Sequence, residues 1–154
     1  MKTYRLHHNL EFDLTRSVPD MAALFAYYPA TGEEADVILK VAFQNRSFLA
    51  ILERDGAFWK SAPVNCDELV SGEVSRCVKL AVLDAFTQMT GQAVELPWGI
   101  LTGVRPGKLA HKLVDGGTSF ALLPNYLQEK YLLPEEQAQM LTNICKLQKQ
   151  LVPD

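Results

Sequence analysis

VILKVAFQNRSFLAILERDGAFWK, residues 37–60, is the stretch that decides the fold of this chain. Its first part alternates between apolar and other residues, so one face of an extended strand carries Val37, Leu39, Val41 and Phe43. The run from Phe48 to Leu52 is continuously apolar, as in a buried strand. Asp55-Gly56 is a strong signal for a two-residue hairpin turn ahead of Phe58 and Trp59. The stretch therefore predicts three successive strands of a mainly antiparallel sheet.

The residues before this stretch predict one more strand and a helix. Residues 3–8 alternate in a way that suits a half-buried strand. Ser17 is placed to cap a helix, and Asp20 follows three residues later, as a capping box requires. The helix is predicted to continue until Pro29 and Gly32 stop it. Its apolar stripe consists of Met21, Leu24, Phe25 and Tyr28.

The residues after this stretch are predominantly helical. Pro63 is predicted to end the sheet, and a long helix is predicted from about Asp67 to a left-handed C-terminal cap at Gly91. Three shorter helices are predicted over residues 106–116, 119–131 and 134–151. The fold class is therefore α+β: a small, mainly antiparallel sheet (β-α-β-β-β) covered by a long helix, followed by a C-terminal cluster of about three helices.

Composition and charge limit the function classes. The 154 residues are 48% hydrophobic and 21% charged, which fits one domain or two small subdomains. We place an α+β subdomain at residues 1–97 and a helical subdomain at residues 98–154, because the second part is less acidic than the first. The net charge of −3 and the pI of about 5.6 argue against a general binder of nucleic acid or anionic membranes.

Targeting segments and metal sites are not indicated by the sequence. No apolar run has the length of a signal peptide or of a membrane span, so a cytoplasmic protein with no membrane partner is expected. The chain has three cysteines, Cys66, Cys77 and Cys145. Their odd number and irregular spacing argue against a disulfide framework and against a zinc knuckle. His7 and His8 point to opposite faces of a strand and form a poor chelate. We predict no metal site and no catalytic residues.

The stretch PWGILTGVRPGKLAHKLVDGG, residues 97–117, carries the candidate functional residues. Gly99 and Gly103 predict a tight connection, which Trp98 would anchor at one end. Pro106 fixes its own φ and favours an extended Arg105, which is then presented at a helix entrance. Unpaired N–H groups there, together with the guanidinium, would make a carboxylate or phosphate site.

The helix that follows carries a basic face of Lys108, His111 and Lys112. This face could extend the anion site. The alternative is structural: the loop connects two helices, Arg105 bonds carbonyls or a neighbouring carboxylate, and the basic face is solvated. The structural role is favoured for Arg105 and Lys108, and more strongly for His111.

The segment PWGILTGVRPGKLAHKL resembles the amino-terminal region of HemZ-type oxygen-independent coproporphyrinogen dehydrogenases, which are radical SAM proteins of haem biosynthesis. The matching positions are Trp98, Gly99, Leu101, Thr102, Gly103, Arg105, Pro106, Lys108 and Leu109. The resemblance implies an accessory, non-catalytic domain. It also implies that the parent protein oxidatively decarboxylates the propionates of coproporphyrinogen III. Candidate residues for substrate binding or domain docking are Trp98, Thr102, Arg105, Lys108 and Lys112.

The family's catalytic part differs from this chain. It carries a C-x-x-x-C-x-x-C motif for a [4Fe–4S] cluster that leaves one iron for S-adenosylmethionine, and the three cysteines here lack that spacing. The resemblance thus implies both cofactors for the parent only, and this chain alone is not expected to turn over substrate. Its end falls where a linker into the catalytic barrel is expected. The implied partner is the catalytic radical SAM domain of the same parent chain, with a tetrapyrrole as a further ligand.

Two other function classes stay open at this point. Three helices with a basic member, residues 105–116, can imitate a nucleic-acid-binding helix-turn-helix or serve as a protein-interaction module. The acidic balance of the chain argues against nucleic acid. An independent enzyme centred on Cys66 or His111 is the remaining class, and no set of neighbouring residues supports it.

Overall fold

The computed structural model describes residues 1–101 and 105–151, and the chain divides into two compact units, Met1–Val94 and Glu95–Asp154. The sequence analysis set the division after Pro97. The first unit contains helices α1 (Ser17–Ala23) and α2 (Ser71–Thr90). Its strands are β1 (Lys2–His7), β2 (Tyr27–Pro29), β3 (Val37–Gln44), β4 (Ser47–Arg54), β5 (Ala57–Lys60) and β6 (Val64–Asn65).

The strands form one six-stranded sheet in the order β2-β1-β3-β4-β5, with β6 paired to β4. β1 runs parallel to both β2 and β3, whereas β4 is antiparallel to β3, β5 and β6. The sheet is mostly antiparallel and a helical cluster follows it, so the predicted α+β fold class is confirmed. Pro63 does not end the sheet as predicted, because β6 follows it and pairs with β4.

Two tight turns set the register of β3, β4 and β5. Asn45 and Arg46 both have positive φ between the paired residues Gln44 and Ser47. Asp55 and Gly56 also have positive φ, between Arg54 and Ala57. Positive φ at both central residues is the type I′ turn, whose twist matches that of the flanking strands. The hairpin predicted at Asp55-Gly56 is confirmed.

The predicted start of α1 at Ser17 is confirmed, but its predicted cap and its predicted end were wrong. The helix ends at Ala23, and Tyr27 begins β2, which pairs in parallel with β1. Ser17 makes no capping bond; its hydroxyl lies 2.8 Å from that of Ser75 on α2. Strand pairing prevails over helix propensity here because it satisfies the backbone and buries Tyr27, whose ring centroid lies 5.2 Å from that of Phe86.

Helix α2 packs against β4, β5 and β6 and supplies the core of the first unit. It begins at Ser71, a few residues after the predicted start. Phe86 is fully buried and stacks on Phe25 with ring centroids 5.3 Å apart. Gly91 ends the helix with φ 68°, and its N–H donates to the Thr87 carbonyl, so the predicted left-handed cap is confirmed.

The second unit consists of three helices, α3 (Pro106–Asp115), α4 (Leu123–Tyr131) and α5 (Glu135–Leu151). The predicted cluster is confirmed, although α4 begins after the predicted Ser119. The three helices share one apolar core because each turns a buried stripe inward. Its fully buried members include Ala110, Leu123, Leu127, Ala138 and Cys145. None of the helices within residues 1–101 and 105–151 is long and apolar enough to cross a membrane.

Candidate functional site

A tight turn at the start of the second unit places Trp98 at the surface. The Gly99 N–H donates to the Leu96 carbonyl at 3.0 Å, and the Leu101 N–H donates to the Trp98 carbonyl at 3.1 Å. Ile100, only 1% exposed, follows Gly99 into the core, and its N–H donates to the Tyr131 carbonyl at 2.9 Å. Trp98 itself stays 36% exposed. The turn therefore presents an indole ring beside a well-packed core.

Arg105 stands at the entrance of α3. Its backbone is extended, with φ −74° and ψ 118°, and Pro106 follows as the first helical residue. Its carbonyl accepts the N–H groups of Lys108 at 3.1 Å and Leu109 at 3.3 Å, which closes the first turn. The Arg105 side chain is exposed. This is the geometry that a pre-proline residue at an N-cap is expected to have.

Lys108 and Lys112 lie one turn apart on α3, and both are exposed. Neither of them, nor Arg105, forms an ion pair with any of the residues that the structure describes. Near the end of α3 the situation differs, since Asp115 pairs with Lys149 of α5. Arg105 at the entrance of α3, Lys108 in its first turn and Lys112 in its last turn thus carry exposed charges.

His111 has a structural partner. One ring nitrogen, Nε2, lies 2.7 Å from Oε1 of Gln148 on α5, and the imidazole is half-buried. The predicted basic face of α3 therefore reduces to Lys108 and Lys112, while His111 joins α3 to α5. Thr102 and Gly103, predicted from the resemblance and the loop pattern, lie outside the described residues.

The thiols are buried in both units. Cys66 and Cys77 belong to the first unit and Cys145 to the second. Burial raises the pKa of Cys77 to about 12 and also raises the pKa of Cys145. Within the described ranges, no three or more His, Cys, Asp or Glu side chains are grouped so that they could hold a metal ion.

Helix α5 has a second apolar face that the sequence analysis missed. Ala138, Leu141 and Cys145 face the core. Four large apolar side chains on another side of the helix are 44–72% exposed; we call Met140, Ile144, Leu147 and Leu151 the α5 stripe. Their spacing of four, three and four residues is that of one helical face, so the pattern could have been found in the sequence.

Comparison with known proteins bears out the resemblance. The chain is 38% identical over 77 residues, half its length, to the oxygen-independent coproporphyrinogen-III oxidase-like protein HemZ of Bacillus subtilis (strain 168). This identity over half of the chain confirms the resemblance that was predicted from residues 97–113. The match covers only 14% of the length of HemZ. No protein-family model matches the chain, and no solved structure matches it significantly.

Proposed function

We propose that this chain is an accessory, amino-terminal domain of a longer radical SAM protein of haem biosynthesis that acts on coproporphyrinogen III. The observation that carries the proposal is the 38% identity to HemZ over half of the chain. Because the match extends over 14% of HemZ, we assign the chemistry to the part of the parent protein that corresponds to the rest of HemZ.

The cysteines of the chain do not fit an iron–sulfur cluster. Such a cluster needs three thiolates close together, whereas Cys66, Cys77 and Cys145 lack the C-x-x-x-C-x-x-C spacing and all three are buried. The proposal therefore assigns the [4Fe–4S] cluster and S-adenosylmethionine to the catalytic part. There they would supply the radical that starts oxidative decarboxylation.

The α5 stripe is the surface that we assign to docking. Exposed apolar side chains in one continuous row are typical of a protein–protein contact. The occupant that we propose is the catalytic part of the same parent protein, because the larger share of HemZ lies outside the match. Trp98 is a second candidate anchor, since exposed tryptophans are frequent hot spots of interfaces.

The cations of α3 are the residues that we assign to the substrate. Coproporphyrinogen III carries propionate side chains, and an arginine at a helix entrance is suited to carboxylates. Arg105, Lys108 and Lys112 are exposed and have no ion-pair partner in the described part of the chain, so their charges are available to a ligand. In this proposal they guide the propionates toward the catalytic part.

Docking through the α5 stripe is tested by measuring whether this chain and the catalytic part associate as separate polypeptides. The purified chain is titrated against B. subtilis HemZ from which the matched region has been removed, and the dissociation constant is measured by calorimetry. We expect saturable one-to-one binding that Ile144→Asp and Leu147→Asp each weaken at least about tenfold, because a charge is then buried at the interface. Gln150→Asp, an exposed position of α5 outside the stripe, is the matched control. Absence of binding by the unmodified chain would contradict docking.

Binding of the substrate by the cations of α3 is tested with coproporphyrin III, the stable oxidised form of the substrate. Quenching of the intrinsic tryptophan fluorescence during a titration measures binding, and Arg105→Ala should weaken the binding about tenfold. Lys130→Ala, an exposed cation of α4, is the matched control. The alternative outcome is that random duplex DNA binds at low salt, that the porphyrin does not, and that Arg105→Ala weakens DNA binding. In that case α3 binds nucleic acid, and the proposal that it binds the substrate is wrong.

A further inference from the structure

Cys66 and Cys77, the two buried cysteines of the first unit, are neighbours. Cys77 Sγ lies 3.5 Å from the carbonyl oxygen of Asn65, the residue directly before Cys66. Burial and, to a lesser extent, the neighbouring Cys66 thiol raise the pKa of Cys77. Cys66 follows β6, whereas Cys77 lies in the second turn of α2. The fold thus brings together two sulfur atoms from different elements.

We propose that Cys66 and Cys77 are a reversible modification site, which forms an intramolecular disulfide when the protein meets a small-molecule disulfide such as oxidised glutathione. The sulfur atoms of a disulfide are about 2.05 Å apart, and the Cys77 sulfur already lies 3.5 Å from the peptide carbonyl that directly precedes Cys66. Both cysteines are free thiols in the structure, so the disulfide belongs to an oxidised state of the protein. The irregular cysteine spacing, which argues against a permanent framework, does not conflict with a reversible bond.

Cys66 is the thiol that an oxidant reaches first. It is 2% exposed, but residues 67–70 directly after it are all exposed and lie outside any helix or strand. The Cys66 thiol donates to the carbonyl of Glu68, inside that segment, at 3.3 Å. In this proposal, opening of that segment is what exposes Cys66 to the oxidant. Cys77 lies within α2, fully buried, and reacts second.

The exchange is balanced in two steps. The thiolate of Cys66, its proton released to solvent, attacks one sulfur of oxidised glutathione; the S–S bond breaks and one glutathione leaves, taking up a proton. The thiolate of Cys77 then attacks the Cys66 sulfur of the mixed disulfide and expels the second glutathione in the same way. Two protein thiols are oxidised, and one oxidised glutathione becomes two reduced molecules.

The surroundings of Cys77 set the speed of the second step. The Arg76 guanidinium donates to Cys77 Sγ at 3.6 Å and favours the thiolate. Burial opposes it and raises the pKa of Cys77 to about 12. Burial is the larger effect, so little Cys77 is present as thiolate near neutral pH, and we expect the second step to accelerate as the pH rises.

The test counts thiols after oxidation of the purified chain. The reduced chain is incubated with oxidised glutathione under nitrogen, denatured in N-ethylmaleimide, and weighed by mass spectrometry. We expect the number of maleimide adducts to fall from three to one, with the remaining adduct on Cys145 and a peptide that links residues 66 and 77. Dithiothreitol should restore all three adducts. Cys145→Ala should still form the disulfide, whereas Cys66→Ser and Cys77→Ser should carry at most one glutathione.

Three results would overturn the proposal. One is a chain that keeps three alkylatable thiols in excess oxidised glutathione at pH 9. Another is a chain that stops at mixed disulfides with glutathione. The third is a link that includes Cys145 or joins two chains. If a Cys66 or Cys77 variant fails to fold, the Cys145→Ala chain still decides, because only Cys66 and Cys77 can then form an intramolecular bond.

Discussion

Gly99 lies directly against the backbone carbonyl of Tyr131. A Cβ atom built on Gly99 would lie 1.9 Å from that oxygen, and the residue has φ 59°, in the region that side chains disfavour. The next residue, Ile100, donates its N–H to the same Tyr131 carbonyl at 2.9 Å. One carbonyl at the end of α4 thus holds the turn that carries Trp98, and only glycine permits so close an approach.

Gly99→Ala is expected to destabilise the second unit by about 2–4 kcal/mol, because the added methyl group forces the turn away from Tyr131. Guanidinium-induced unfolding followed by circular dichroism measures the change. Gly107→Ala is the matched control: a Cβ there meets no atom within 4 Å, and alanine favours the helix. Equal stability of Gly99→Ala and the parent chain would show that the turn does not depend on this contact.

Glu73→Gln is expected to destabilise the first unit by about 1–2 kcal/mol. Glu73 accepts two hydrogen bonds from Arg76, from Nε and Nη2, each at 3.0 Å, and the Arg76 side chain is only 8% exposed. The substitution removes the charge from a two-pronged pair that is largely shielded from water. Denaturant unfolding measures the loss.

Glu53→Gln serves as the control for that measurement. Its partner Lys40 is 4.0 Å away, and both side chains are substantially exposed. The expected change is below about 0.5 kcal/mol, as for most surface pairs. If the two variants lose the same free energy, burial of the Arg76 pair has no energetic consequence.

Tyr4 is expected to make the first unit sensitive to alkali. Burial raises the pKa of its phenol from 10.0 to about 12. Between these pKa values the unfolded chain has lost the phenol proton, whereas the folded chain keeps it. The contribution of Tyr4 to stability is therefore complete below pH 10 and is lost as the pH rises toward 12. Tyr4→Phe should show a shallower loss over this range. Identical pH dependence in both chains would contradict this.

Lys79 is expected to act in the opposite direction. Burial lowers the pKa of its ammonium from 10.5, with Asp20 partly opposing the shift. Between the lowered value and 10.5 the folded chain binds fewer protons than the unfolded one, so this group raises stability as the pH increases. Lys79→Met should remove that rise. Thermal unfolding of both chains from pH 7 to pH 10 compares the slopes, and a steeper rise in Lys79→Met would refute the assignment.

Local elements of this chain follow from short-range signals in its sequence. Asp55-Gly56 predicts its hairpin because positive φ is inexpensive for these residues, and Gly91 predicts a helix end for the same reason. The period of the apolar residues predicts α2 and the three helices of the second unit, and the pattern at residues 97–113 predicts the resemblance to HemZ. Each of these signals lies within a few residues of the chain, where backbone preference and side-chain periodicity act directly.

Other features depend on contacts between residues that are distant in the sequence, and these became visible only in the tertiary structure. Tyr27 lies within the stretch predicted to be helical, yet it pairs with Lys2 in a strand, because β1 offers it hydrogen bonds and Phe86 offers it a buried contact. His111 looks like part of a basic face until Gln148 of α5 binds it. Cys66 and Cys77 look unrelated until β6 and α2 place them together. Such contacts arise from the packing of whole elements, which no short window of sequence contains.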